Sequence, residues 1–362
     1  MVKNGRGGVG EMIGGYLLGG LFIIQAVRWW RMAAVADKPM EAGLSGEPSV
    51  TFLVGAWNAE EDIREFIESF QSLRLGQKQL VLVAGGSDNT FHVASSEASE
   101  NIIVIEQLKG EGKQKALAKG LTCATGDLVY LTDIDCRLTE KAVYPLVQYV
   151  TDHPNEVATG RVRPLGIQQS QNFVLMQWAI RQKSDAPDGA SVGGIDGRNA
   201  VVARKILEKS QVFAVSAPSG TDYTLAKELL QRGWSIRQIA TSEMETEFPP
   251  NFRVYVRKQA RWLRNVVVLG QRYGSRNEVL AVGITLAFPW IVGLFAAGGF
   301  FNAFLFWVAS LLVAYAVTSR ILYLRLLGCP QAVLSAVSVL IGDWAAALLA
   351  LRHLLRHDYR WS

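Results

Sequence analysis

LVYLTDIDCRL, residues 128–138, carries an apolar run straight into Asp133 and Asp135. A short continuous apolar stretch that ends in acidic residues reads as a buried strand. Side chains alternate along an extended strand, so residues at i and i+2 point to the same side. The spacing therefore predicts two carboxylates side by side at the carboxyl end of a strand. Such a pair can hold Mg²⁺ or Mn²⁺, directly or through water, with diphosphate oxygens completing the shell. A solvated turn is the alternative reading of Asp-x-Asp taken alone, and the buried strand before it favours the metal.

Outward from this stretch the same grammar repeats. Short apolar runs at 50–55 (VTFLVG), 80–84 (LVLVA) and 102–105 (IIVI) alternate with helical patterns at 59–73 and 113–124. Strands alternating with helices predict an α/β domain over about residues 48–250. Its sheet is mostly parallel, with ligands bound at the carboxyl ends of the strands. A helix is expected over 223–233, with Asp222 just before it as a cap or a reactive carboxylate. As a cap, Asp222 contributes about 1 kcal/mol.

The flanks are of another kind. Residues 279–300 and 301–319 carry no charge, and 331–351 is apolar apart from Asp343. Each approaches the roughly 20 residues that a helix needs to cross a hydrocarbon core. An N-terminal run, 12–27, is followed by Arg28-Trp29-Trp30-Arg31, which reads as an interfacial anchor on a retained membrane helix. Ala34-Val35-Ala36 is the competing signal-peptidase reading. Residues 39–48 form a linker. The segment 252–276 carries seven cations and no acid, with Arg253, Arg257, Arg261 and Arg264 at helical spacing. Beside membrane helices it reads as an interfacial amphipathic helix on anionic lipid rather than a nucleic-acid face. The expected organisation is thus 1–36 tail and membrane helix, 37–250 catalytic domain, 251–276 interfacial helix and 277–362 C-terminal membrane region.

Composition narrows the class. Of 362 residues, 49% are hydrophobic and 19% charged, against about 25% charged in soluble domains. Global disorder is excluded. Three cysteines at no metal-like spacing and four histidines exclude a disulfide scaffold and a zinc ribbon. The net charge of +5 gives little support to nucleic-acid binding. Gly5–Gly10 matches G-x-G-x-x-G without a strand before it, and Gly110-Glu111-Gly112-Lys113 lacks the rest of a Walker loop. His353 and His357, four apart, read better as an interfacial face than as a metal site.

Six segments in order carry a family resemblance. They are Gly55-Ala56-Trp57-Asn58-Ala59-Glu60-Glu61-Asp62-Ile63, Gly86-Ser87-Asp88-Asn89-Thr90, Lys113–Gly120, Gly126–Val129 ahead of Asp133 and Asp135, Gly220–Ala226, and Lys258-Gln259-Ala260-Arg261-Trp262. Over about residues 48–265 the chain resembles glycosyltransferase family 2, the inverting GT-A enzymes. Within it, the likeness is to the membrane-anchored branch of ceramide-glucosyltransferase-like and polysaccharide-synthase-like proteins.

The resemblance implies a metal-dependent hexosyltransferase that moves a sugar from a nucleotide-diphosphate donor, expected as a UDP-sugar, to a lipid acceptor. A processive polysaccharide synthase is the alternative, and a catalytically weakened membrane assembly subunit is the alternative of another class. It implies Asp222 as general base, and Asp133 and Asp135 on Mg²⁺ or Mn²⁺. Ala56, Trp57, Glu60, Asp88, Lys113, Asp133, Lys258, Arg261 and Trp262 are implied at the substrate. Four departures stand out: Gly55 replaces a proline, Ala84-Gly85 replaces an acidic pair, Thr221 replaces a glutamate, and Lys258 replaces a glutamine. The basic stretches flanking the domain predict a multi-pass protein with its catalytic domain facing the cytoplasm. Asp343 is either part of an acceptor path or the partner of a basic neighbour, and a re-entrant turn around it is one way to reconcile the basic C-terminus.

Overall fold

The structure, a computed structural model, describes residues 46–184, 186–217 and 219–356, with Gly20, Ile23, Ile24, Val27 and Leu44 before them. Most of the expected N-terminal membrane helix, its Arg28–Arg31 anchor, most of the linker and His357 lie outside the described residues. The chain divides into two compact units.

The first unit comprises residues 35–168 and 185–248. Its eight strands are β1 (Ser49–Trp57), β2 (Gln77–Gly85), β3 (Ile102–Glu106), β4 (Leu128–Asp133), β5 (Cys136–Arg137), β6 (Glu156–Pro164), β7 (Ala200–Ala203) and β8 (Ser235–Thr246). They form one sheet in the order β3-β2-β1-β4-β7-β6-β8-β5. The half built from β3, β2, β1 and β4 is parallel throughout, which is the half that the apolar runs predict. Both faces of these strands are covered, so Val50, Phe52, Leu53, Val54 and Leu80 to Ala84 are all buried. Phe52 stacks on Tyr130 with ring centroids 5.1 Å apart and meets Phe70 edge-on at 5.5 Å. These contacts lock helix Ile63–Ser72 onto the sheet.

Register brings the chemistry to one edge. Gly55 pairs with Asp133, and Ala56 with Ala84, which in turn pairs with Glu106. Beyond β4 the direction reverses: β7 runs antiparallel, with its first residue, Ala200, opposite Leu131. The chain leading into β7 therefore arrives at the same edge as Asp133. Gly126 and Asp127, within the fourth resembling segment, serve the opposite end of β4. There the Gly126 amide donates to Thr51 Oγ1 (2.9 Å), and Asp127 accepts from Ser49 Oγ (2.8 Å).

The second unit comprises residues 169–184 and 249 onward, together with the N-terminal segment up to residue 34. The helix Asn172–Ser184 thus groups with the C-terminal helices although it lies inside the span 37–250. Among the described residues three helices are long and apolar enough to cross a membrane: Arg276–Gly298, Ala303–Leu326, and the span from Pro330 to Leu355. Helix Ser335–Leu355 passes through Asp343 without a break, so no turn is centred there. Instead Asp343 accepts from Arg320 (2.6 Å) and from the Tyr255 hydroxyl (2.5 Å). The basic neighbour is Arg320, one helix away. Gly342 leaves room for Tyr255, whose ring would lie 2.9 Å from a Cβ at that position.

Helix Phe252–Arg272 departs from the sequence expectation. Arg253, Arg257 and Arg261 are exposed as the stripe predicts, but Arg264 is buried. Trp262, beside Arg261, is 57% exposed. Ideal spacing puts Arg264 on the cationic stripe. That side of the helix is open in its first turns, covered at Arg264 and open again at Gln271, so angular position alone does not set exposure.

Candidate active site

Lys113 joins the two carboxylates that the sequence singles out. It is the second residue of helix Gly112–Leu121, and its Nζ lies 2.5 Å from Asp133 Oδ1 and 3.8 Å from Asp222 Oδ1. Asp133 closes β4, while Asp135 stands in the turn between β4 and β5. Extended alternation therefore reaches Asp133 and stops there. The pair still has the predicted pattern of accessibility, with both aspartates half-buried around a buried Ile134. Burial lowers the affinity of the Lys113 ammonium for its proton, but the Asp133 and Asp222 carboxylates more than offset this and hold its pKa above the ordinary lysine value.

Asp222 occupies the first turn of helix Thr221–Gln231. The cap position belongs to Gly220, in the left-handed region at φ 72°, and no side chain caps the helix. The capping role weighed for Asp222 is thus not one it performs. Its pKa is raised: burial among protein atoms pushes it up, the Lys113 charge opposes this, and the nearby Asp133 and Asp196 carboxylates add to it. A raised carboxylate at a helix N-terminus, still 43% exposed, is suited to take a proton from an incoming hydroxyl.

The sequence reading missed the third component, Asp196-Gly197-Arg198-Asn199. Arg198 makes a two-pronged pair with Asp196, Nε to Oδ1 at 3.0 Å and a terminal nitrogen to Oδ2 at 3.1 Å. Asn199 is fully buried; its amide nitrogen donates to the Arg161 carbonyl (2.8 Å) and Ser242 Oγ (3.0 Å), and its oxygen accepts from Tyr130. The local signal is three glycines, Gly193, Gly194 and Gly197, ahead of the apolar AVVA of β7, which reads as an ordinary turn.

Four carboxylates (Asp133, Asp135, Asp196, Asp222) interact electrostatically with two cations, Lys113 and Arg198. The cluster thus carries more acids than bases. Among the described residues no three acidic, histidine or cysteine side chains converge on one point. A Mg²⁺-type ion commonly takes one or two carboxylates and leaves its other positions to phosphate and water. The donor set of Asp133 and Asp135 fits that pattern.

The loops after β1 and β2 are knitted together. Asn58, at φ 52°, accepts from the Ser87 amide (2.7 Å). Glu60 accepts from the Asn89 amide (3.1 Å), and Asp88 accepts from Thr90 Oγ1 (2.6 Å) and the Glu60 amide (3.3 Å). Burial would raise the Asp88 pKa, but the Thr90 hydroxyl and backbone donors bring it below the usual carboxylate range. Glu60 and Asp88 are thus engaged inside the loop pair. Ala56 is buried and Trp57 is 41% exposed at the strand end. A Cβ on Gly85 would lie 2.2 Å from the Gln107 carbonyl oxygen, so no acidic side chain fits there. Lys258, Arg261 and Trp262 belong to the other unit, at exposed positions of helix Phe252–Arg272.

Residues 51–210 match the glycosyl transferase family 2. That match lies mostly within the α/β unit. Similar proteins with curated descriptions include the poly-beta-1,6-N-acetyl-D-glucosamine synthases of Staphylococcus aureus. The chain is 25% identical to that of strain COL over 168 residues, and 24% identical to that of strain MSSA476. The match covers 46% of this chain and 39% of the relative, so the chain spans about two fifths of the length of these proteins. Among solved structures, a mannosyltransferase from Pyrobaculum calidifontis in complex with GDP-Man and Mn²⁺ superposes with a TM-score of 0.56. The alignment covers 89% of this chain and 96% of that one at 18% identity, a likeness of fold. The α/β unit has the mostly parallel sheet that the apolar runs predict and the GT-A-like fold that the resemblance implies.

Proposed function

We propose that this protein is a membrane-integral, inverting glycosyltransferase that moves a sugar from a nucleotide-diphosphate donor to a lipid acceptor. The observation that carries the reading is the convergence of Lys113, Asp133 and Asp222 at the carboxyl edge of the parallel strands. Asp222 accepts the proton of the acceptor hydroxyl, whose oxygen forms a bond to the anomeric carbon. The bond from that carbon to the diphosphate oxygen breaks on the opposite side, and the diphosphate leaves with the electron pair. Lys113 supplies positive charge where the diphosphate charge develops. A Mg²⁺ or Mn²⁺ ion held by Asp133 and Asp135 would supply Lewis-acid stabilisation of that leaving group.

The three apolar helices and the exposed cations of helix Phe252–Arg272 support an acceptor that arrives within the bilayer surface. The positive flanks agree with a cytoplasmic catalytic unit. A processive polysaccharide synthase is the second reading, favoured by the synthases among the curated relatives. A weakened assembly subunit finds support only in the missing acid at Gly85, while Lys113, Asp133 and Asp222 remain assembled.

The test is turnover by the purified full chain in lipid nanodiscs, with UDP-glucose, UDP-N-acetylglucosamine and GDP-mannose each offered with Mn²⁺. Release of nucleoside diphosphate together with a single-sugar glycolipid is the expected result. Long polymer would favour the second reading, and no turnover of any donor the third. Asp133→Asn should remove metal-dependent turnover without unfolding the protein. Full activity in excess chelator would refute the metal.

A further inference from the structure

We propose that the Asp196-Gly197-Arg198 turn is the seat of the Asp222 carboxylate, with Gly197 a positioning residue that acts by having no side chain. The inference rests on reading Asp222 as the base. A Cβ on Gly197 would lie 2.2 Å from Asp222 Oδ1, 2.4 Å from Cγ and 2.9 Å from Oδ2. All three atoms of the carboxylate group therefore lie against the Gly197 backbone. Gly197 is not among the positive-φ glycines, so space and not backbone conformation demands glycine here. The same Oδ1 lies 3.8 Å from Lys113 Nζ. The base thus has a backbone floor and an ammonium for neighbours.

The floor is fixed. Arg198 grips Asp196 with two hydrogen bonds, the Asp196 amide donates to Thr159 Oγ1 (2.9 Å), and the Asn199 amide donates to the Asp196 carbonyl (2.9 Å). The buried Asn199 ties the turn into the sheet through β4, β6 and β8, by way of Tyr130, Arg161 and Ser242. The helix bearing Asp222 is tied to the same segment, since Lys227 Nζ donates to the Gly193 carbonyl (2.9 Å). With both backbones held, the atoms free to yield to an added methyl are those at the end of the Asp222 side chain. A methyl at position 197 should leave the fold in place and turn the base away from its position. A misplacement of about 1 Å at a reacting group costs on the order of 10²-fold in rate.

The test is a double-mutant cycle in the full-length protein in nanodiscs, with Gly197→Ala, Asp222→Ala and the pair, and Asp222→Asn beside them. It reads kcat and donor KM with the donor of highest turnover, binding of UDP and GDP with Mn²⁺, and the thermal midpoint. Gly197→Ala is expected to lower kcat about 10²-fold, with KM and nucleotide binding within about twofold and the midpoint unchanged. In the Asp222→Ala background the methyl enters vacated space and should cost nothing further. A Gly197→Ala enzyme of near wild-type kcat overturns the seat, as does an equal loss in the Asp222→Ala background. If Gly197→Ala alone fails to fold, recovery of folding in the double variant supports the contact, and continued misfolding overturns it. An active Asp222→Asn enzyme refutes the base itself. An inactive Asp222→Asn beside an active Gly197→Ala refutes only the seat.

Discussion

Replacing Asp222 by Asn separates chemistry from stability more cleanly than any other substitution in this protein. The side chain lies within the first helical turn and caps nothing, since the cap is Gly220. Losing its charge forfeits an interaction with the helix N-terminus of about 0.3–1 kcal/mol, along with the attraction of Lys113 at 3.8 Å. Relief from burying a carboxylate beside Asp133 and Asp196 offsets these losses. The thermal stability should therefore move by less than about 1 kcal/mol. Removal of a general base costs about 10²–10⁴ in rate, which is about 3–5 kcal/mol of barrier at 1.36 kcal/mol per decade. Asp222→Ala should behave like Asn in stability, because no capping bond is lost. The assay is single-turnover transfer in nanodiscs, alongside calorimetric binding of UDP and GDP and thermal unfolding. Nucleotide binding should survive, with transfer alone collapsing. An Asn variant within threefold of wild-type transfer would refute the reasoning and leave the proton without an acceptor.

The half-buried pair Arg320–Asp343 gives a stability prediction: Asp343→Leu alone should cost up to about 3 kcal/mol by stranding the arginine, while Arg320→Met with Asp343→Leu should be nearly neutral. Unfolding in detergent measures both, and a harmless single variant would show the pair to be idle. Restoring an acid after β2 with Gly85→Asp should destabilise the α/β unit by about 1–3 kcal/mol, because the Gln107 carbonyl occupies the space; a midpoint equal to wild type contradicts this.

The Tyr149–Glu156–Arg237 cluster predicts a pH dependence. The Tyr149 hydroxyl and, against the effect of burial, Arg237 hold the Glu156 pKa below the ordinary glutamate value, and Tyr149 is pushed up to about 12. A lowered carboxylate contributes stability that is present above its unfolded pKa and lost as pH falls through the folded one. Glu156→Gln should thus lose up to about 1 kcal/mol at pH 7 and approach wild type in acid. Equal differences at both pH values would refute the assignment.

The parallel half of the sheet could be read residue by residue, since apolar runs and turn residues are local signals that burial on both faces enforces. The runs at 50–55, 102–105 and 128–132 lie inside β1, β3 and β4, and residues 80–84 inside β2. The other half, which is mixed, could not. β6 pairs antiparallel with β7 and parallel with β8 at sequence separations of roughly 40 to 80 residues, and nothing in their own patterning names those partners. Asp222 illustrates the limit within the site: its sequence context fits both a cap and a base, and only the backbone at Gly220 removes the first.

What the sequence determined by itself was the chemistry available: acids at a strand end, a lysine opening a helix, an aspartate opening another, and apolar runs of membrane length. Periodicity and composition suffice for that, because each depends on neighbours along the chain. The tertiary structure decided which of these groups meet. It brought Lys113 to Asp133 and Asp222, joined Arg320 and Tyr255 to Asp343, and turned an unremarked glycine at 197 into the surface on which a carboxylate rests. A glycine has no side chain to signal its role, and the contact it permits is written only in the position of another residue 25 places away.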